Sequence, residues 1–203
     1  MTLTTWLTFL AICSLGAMSP GPSVAVVLKI TVNNGRAHGL MASWCHAAGI
    51  GLWAMATVSG LAVVVARSET LFHLITWFGA AYLAWLGLKA IMAGKAGPLD
   101  VEQAGKVSLW QAGREGAVIS LLNPKIAIFF LALFSQFIVV DATLLDYVLM
   151  VLTPTLVDGL WYSLVAVVLS QRSVLAALRK RSQIVNRVTG TVLIMLALRV
   201  VIR

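Results

Sequence analysis

Apolar residues run along this 203-residue chain in long blocks separated by short polar connectors. Six blocks stand out, over residues 4–31, 40–66, 71–93, 112–139, 143–170 and 184–202. Each is long enough to cross a hydrocarbon layer of about 30 Å at about 1.5 Å of rise per helical residue. The pattern predicts an all-α integral membrane protein with six transmembrane helices. The first block exceeds what a span needs, so it must tilt, bend or break. The longest connector, "AGKAGPLDVEQAGKVS" at 93–108, parts the spans into two groups of three. The expected organisation is a single membrane domain over 1–203, with repeat one at 1–93, a linker at 94–108 and repeat two at 109–203.

Prolines interrupt two of the blocks. "MSPGPSVAV" lies in the first and "LNPKIAIFF" in the fourth. Trp6 stands 14 residues before Pro20, and Trp110 stands 14 residues before Pro124. In that register Ser19 matches Asn123 and Pro20 matches Pro124. Ser and Asn are good helix N-caps, and proline suits the first helical position. Both motifs therefore read as a helix starting inside a span. Three spans per unit would bring the second unit into the membrane from the opposite side. The expectation is a 3+3 inverted repeat with broken helices in spans one and four, an architecture of transporters. The bland alternative is two kinked helices whose prolines match by chance.

A broken helix has chemical consequences. Its N-terminus carries unpaired N–H groups and about half a positive charge. Two such ends aimed inward make a site for an anionic group such as a carboxylate. Irregular backbone at membrane depth must be covered by protein or line a cavity. Ser19, Pro20, Gly21, Pro22, Asn123, Pro124 and Lys125 are thus candidate substrate-binding residues.

Composition agrees with the pattern: 60% of residues are hydrophobic, 11% are charged, and the mean hydropathy is +0.95. The net charge of +8 would suggest nucleic acid in a soluble chain. Here the basic residues flank spans, where they set orientation, and no nucleic-acid partner is expected. Eleven Lys and Arg residues fall on the side holding connections 1–2, 3–4 and 5–6, against Arg67, Arg199 and Arg203 on the other. That bias predicts cytoplasmic connections, including "RKRSQIVNR", and both termini outside. No Lys or Arg precedes the first apolar run, so it reads as a retained span rather than a signal peptide. Cys13 and Cys45 are too few for a disulfide framework or a closed metal site.

Charge inside a membrane is expensive and marks function by default. Lys125 follows Pro124 near the middle of span four, where it could strengthen an anion site or snorkel to the interface. Asp158, in "TLVDGLWYS", could pair with Lys125, hold an ammonium group or accept a proton. His46, in "SWCHAAG", could relay protons or hydrogen-bond a neighbouring helix. Trp161, one turn from Asp158, is a candidate cavity-lining residue. The small residues Ala42, Cys45, Gly49, Ala56 and Gly60 form a seam for close helix approach, and Gly35 and Gly39 are four apart in "NNGRAHG". These glycines serve packing within one subunit or, alternatively, a homodimer. No nucleophile–base pair, phosphate loop or metal cluster can be assembled, so neither enzymatic activity nor a cofactor is expected.

The motifs "SPGPS", "NGRAHG", "LLNPK" and "DGLWY", in this order and over essentially the whole chain, resemble the LysE/RhtB family of amino-acid exporters. The resemblance implies a bacterial inner-membrane protein that expels amino acids, driven by the proton motive force. The positions it marks are Ser19, Pro20, Gly21, Pro22, Gly35, Gly39, Asn123, Pro124, Lys125 and Asp158. The late part of span six departs from the family, with Ala197 near where a glycine often stands. Two competing functions stay open at this stage: a metal-ion exporter, which needs clustered His and acidic residues, and an intramembrane thiol relay, which needs a reactive cysteine in each repeat.

Overall fold

A computed structural model describes residues 1–19, 21–93, 105–138, 142–169 and 172–202. Its described elements are helical: α1 (Leu3–Met18), α2 (Pro22–Asn34), α3 (Arg36–Arg67), α4 (Glu69–Met92), α5 (Leu109–Leu121), α6 (Pro124–Phe134), α7 (Leu144–Leu164), extended by a π-helical turn at Val165–Leu169, and α8 (Arg172–Ile202). Several helix starts are capped as their sequences dictate. Ser68 caps α4, and reciprocal capping boxes start α5 (Ser108 with Gln111) and α7 (Thr143 with Asp146). Gly35 joins α2 to α3 alone. Its φ of +91° suits glycine, and its N–H closes α2 on the Thr31 carbonyl at 2.8 Å.

Four helices or helical runs are long and apolar enough to cross a membrane: α3, α4, α7 with its π turn, and Gln183–Val200 within α8. The first and fourth apolar blocks are bent pairs, α1 with α2 at 59° and α5 with α6 at 54°. Counting each pair as one span brings the total to six. The first break is shifted from its expected register. Ser19 closes α1 rather than capping the next helix, Gly21 is the N-cap, and Pro22 opens α2. Pro20 lies outside the described residues. A proline disfavours the α conformation in the residue before it. Gly21, held before Pro22, is extended at φ −170° and ψ −176°, so a helix opened by Pro20 could not pass through it.

Lipid tails give helices no hydrophobic reason to associate, so close packing and hydrogen bonds hold them. Long α3 lies centrally against α2, α5 and α7, and α4 pairs with α8 and α6. A Cβ on Gly116 of α5 would fall 2.1 Å from the Ala42 carbonyl oxygen of α3, so no side chain fits between these backbones. Gly39 and Gly49 serve packing inside the chain, against Thr31 with Ala166 and against Ser120 respectively. Gly35 does not: a Cβ there would meet nothing within 4 Å, and its role is conformational. Ala56 and Gly60, at the far end of the expected seam, are exposed. The α4–α8 crossing is reciprocal. A Cβ on Gly87 would meet the Gly190 oxygen at 2.6 Å and Ile194 at 2.7 Å. One on Gly190 would meet the Gly87 oxygen at 2.5 Å and Ile91 at 2.6 Å. Phe9, Phe134, Phe137 and Met150 anchor the larger apolar cluster, and Val27, Leu28, Ala112 and Val165 the smaller one.

Candidate functional site

The two helix breaks open onto one cavity of about 620 Å³. Ser19, Gly21 and Pro22 line it from the first break, and Asn123, Pro124 and Lys125 from the second. Much of the wall is apolar, including Ile50, Leu86, Phe129, Phe130 and Leu193. The polar groups among them are few and converge from separate helices, as in sites that fix a small ligand's orientation.

The two starts differ in their caps. At α6 the Asn123 side chain accepts from the Lys125 N–H at 3.1 Å. At α2 Gly21 has no side chain to offer, and its helix start has no side-chain cap. Both prolines stand where a helix needs no N–H.

At the centre His46 of α3 meets Asp158 of α7, Nδ1 to Oδ2 at 2.7 Å, with both residues buried. Close approaches on either side bring these helices together. Gly51 of α3 faces Thr155, whose Oγ1 would lie 2.9 Å from a Cβ there, and Gly159 of α7 faces the Trp44 ring at 2.8 Å. Asp158 therefore pairs with His46 and not with Lys125. No ion pair joins Lys125 to a carboxylate among the described residues. An ionised carboxylate only accepts, so whenever Asp158 is ionised it is His46 that donates, through Nδ1–H. Nε2 has no partner in the protein.

Tyr162, not Trp161, is the aromatic that follows Asp158 into the cavity wall. On a helix the fourth residue on shares a face more closely than the third. The Tyr162 ring meets His46 edge-on at 4.8 Å between centroids, and Ser23, in the first turn of α2, lines the same cavity. Trp161 packs against the smaller apolar cluster instead, and its indole N–H is buried without a partner.

Sequence reasoning also missed the walls made by α4 and α8. Tyr82, Trp85 and Lys89 line the cavity from α4, with the Lys89 ammonium 5.0 Å from the centroid of the Trp85 ring. Lys89, counted from sequence as a flanking charge, is thus a second cation on the cavity beside Lys125. Asn186 and Thr189 line it from α8. Their signal was present as polar or amphipathic residues recurring at three- and four-residue spacing: Tyr82, Trp85 and Lys89 on α4, and Asn186 and Thr189 on α8. Cys13 is buried and borders the cavity, Cys45 lies on α3 four residues from Met41, and both are free thiols. No three His, Cys, Asp or Glu residues cluster as metal ligands among the described residues.

The model of the LysE type translocator family matches residues 14–203. The chain is 29% identical over 160 residues to a homoserine/homoserine lactone efflux protein of Salmonella typhimurium, covering 78% of this chain and 77% of that protein. It is 25% identical to an uncharacterized membrane protein of Bacillus subtilis, over 93% of this chain and 94% of the relative. An uncharacterized membrane protein of Vibrio cholerae is 30% identical over 68% of this chain and 67% of its own length. No solved structure matches.

Proposed function

Because the chain belongs to the LysE type translocator family of multi-pass membrane transporters, we propose that it exports amino acids or close derivatives across the bacterial cytoplasmic membrane, driven by the proton motive force. The observation that carries this reading is the cavity shared by two helix starts and a buried His–Asp pair. Helix starts favour a carboxylate, and Lys125 adds charge at the second start. Asp158 and His46 form a unit that can hold an ammonium group or a proton, but not both at once. Loading of the site with substrate then displaces the proton and the reverse step reloads it, which couples efflux to proton entry. The efflux protein of Salmonella makes homoserine the first substrate to try.

The transport cycle we propose is alternating access by two inverted three-span repeats within one membrane domain. The reciprocal Gly87–Gly190 crossing supports a two-fold relation between the repeats, with α4 and α8 as matching third spans. The Lys and Arg bias supports cytoplasmic 1–2, 3–4 and 5–6 connections with both termini outside.

Cells expressing the protein are expected to grow at toxic homoserine concentrations, and proteoliposomes to move homoserine in response to an opposing proton gradient. Asp158→Asn replaces the carboxylate by an amide that carries neither a charge for an ammonium group nor a proton to exchange. We expect gradient-driven efflux to fall by about 100-fold or more. Efflux indifferent to the gradient, or an Asp158→Asn protein with unchanged rate and pH profile, overturns the assigned coupling.

A further inference from the structure

Serine and threonine hydroxyls inside helices commonly bond back to the carbonyl four residues earlier. Several here do so, including Thr31 to Val27 at 2.6 Å, Ser43 to Gly39 at 2.7 Å, Thr76 to Phe72 at 2.9 Å and Thr155 to Val151 at 2.7 Å. Thr189 of α8 does not. It is 3% exposed, and its Oγ1 is buried without a partner. A buried hydroxyl left unmade costs about 1–3 kcal/mol, so it needs a reason. Among the described residues, the other buried side-chain atoms without partners are on His38, His46, Trp161 and Ser163, and of these four residues only His46 borders the cavity. Thr189 borders it too, with Asn186 one turn before it, also buried. Among the described residues the cavity thus holds two orphan groups of different kinds: a ring nitrogen on α3, and a hydroxyl on α8 that can donate and accept.

We infer that Thr189 and Asn186 form a side-chain subsite that selects amino-acid substrates bearing a hydroxyl or carbonyl over apolar ones of equal size. This rests on the amino-acid export reading above. The helix starts and the His46–Asp158 pair serve the carboxylate and ammonium that every amino acid carries, so they cannot discriminate between side chains. The rest of the wall is largely apolar, and an apolar wall distinguishes isosteres poorly. A site built to hydrogen-bond a substrate group, by contrast, rejects an analogue lacking it because its own polar atoms are then unpaired.

The test is efflux from proteoliposomes loaded with homoserine or with norvaline, which replaces the hydroxyl by a methyl. The wild-type protein should prefer homoserine by about tenfold or more. Thr189→Val keeps the shape and removes the hydroxyl, so the preference should fall by about tenfold, the worth of one hydrogen bond, while norvaline efflux persists and shows the protein intact. Thr189→Ser should restore the preference, and Asn186→Leu should also lower it. An unchanged ratio in Thr189→Val, or an equal fall for both substrates, overturns the subsite. A wild-type protein that moves neither compound, nor any other amino acid, removes the export reading itself and the subsite with it.

Discussion

The two helix breaks perform the same backbone manoeuvre with different chemistry. In both, a proline opens the second helix of a bent pair, and the bends of 59° and 54° are similar. In the first, Gly21 is extended and caps nothing with its side chain, and a Cβ there would meet only the Ser19 carbonyl at 3.9 Å. The amides that open α2 are left without a side-chain cap. In the second, Asn123 supplies the cap from its own side chain and Lys125 stands two residues on. A capped start has less N–H capacity for a ligand, and the cation supplies what the cap uses up. Matched breaks need not be equivalent sites: one offers backbone donors, the other a charge.

That asymmetry can be broken by experiment. The largest effect is expected at Lys125. A hydrogen bond to a charged group is worth about 1.5–3 kcal/mol, so Lys125→Gln should raise the KM for homoserine by roughly 10- to 100-fold, with Lys125→Arg retaining most affinity. An unchanged KM would place the charge outside the substrate's reach. A smaller effect is expected at Gly21. Gly21→Ser is sterically allowed by the open space and introduces a side-chain cap that competes for the α2 amides. It should raise KM by about threefold and stabilise the protein by a few tenths of a kcal/mol. The smallest transport effect is expected at Asn123. Asn123→Ala should lower stability by about 1 kcal/mol, read as a melting midpoint reduced by about 2–4 °C in detergent, with KM within about twofold. If Asn123→Ala disturbs KM more than Gly21→Ser does, the division of labour between the breaks is reversed.

The α4–α8 and α3–α7 crossings show a second contrast. Gly87 and Gly190 meet backbone to backbone, which brings helices together but carries no side-chain chemistry. The α3–α7 crossing uses Gly51 and Gly159 on either side of His46 and Asp158, so the same device holds a polar pair in register.

Much of this was legible along the chain. Apolar blocks are local, and a proline or a charge within one is conspicuous because lipid makes it costly. Hence the interrupted blocks and the singular residues Lys125, Asp158 and His46 could be picked out by eye. The register of the first break is legible too, through the restriction Pro22 places on Gly21, although the matched Trp spacing points to Pro20. Other facts were not legible, because they depend on how helices distant in sequence cross. That Asp158 takes His46 as partner, that Tyr162 and not Trp161 turns into the cavity, that Lys89 belongs to the wall, and that Thr189 is left without its usual backbone bond are all outcomes of packing. The sequence by itself determined which residues are too polar for lipid and where the helices must break, since both costs are paid residue by residue. Only the tertiary structure decided which of those residues meet, because close crossings at a few glycines, far apart in the chain, set every distance between them.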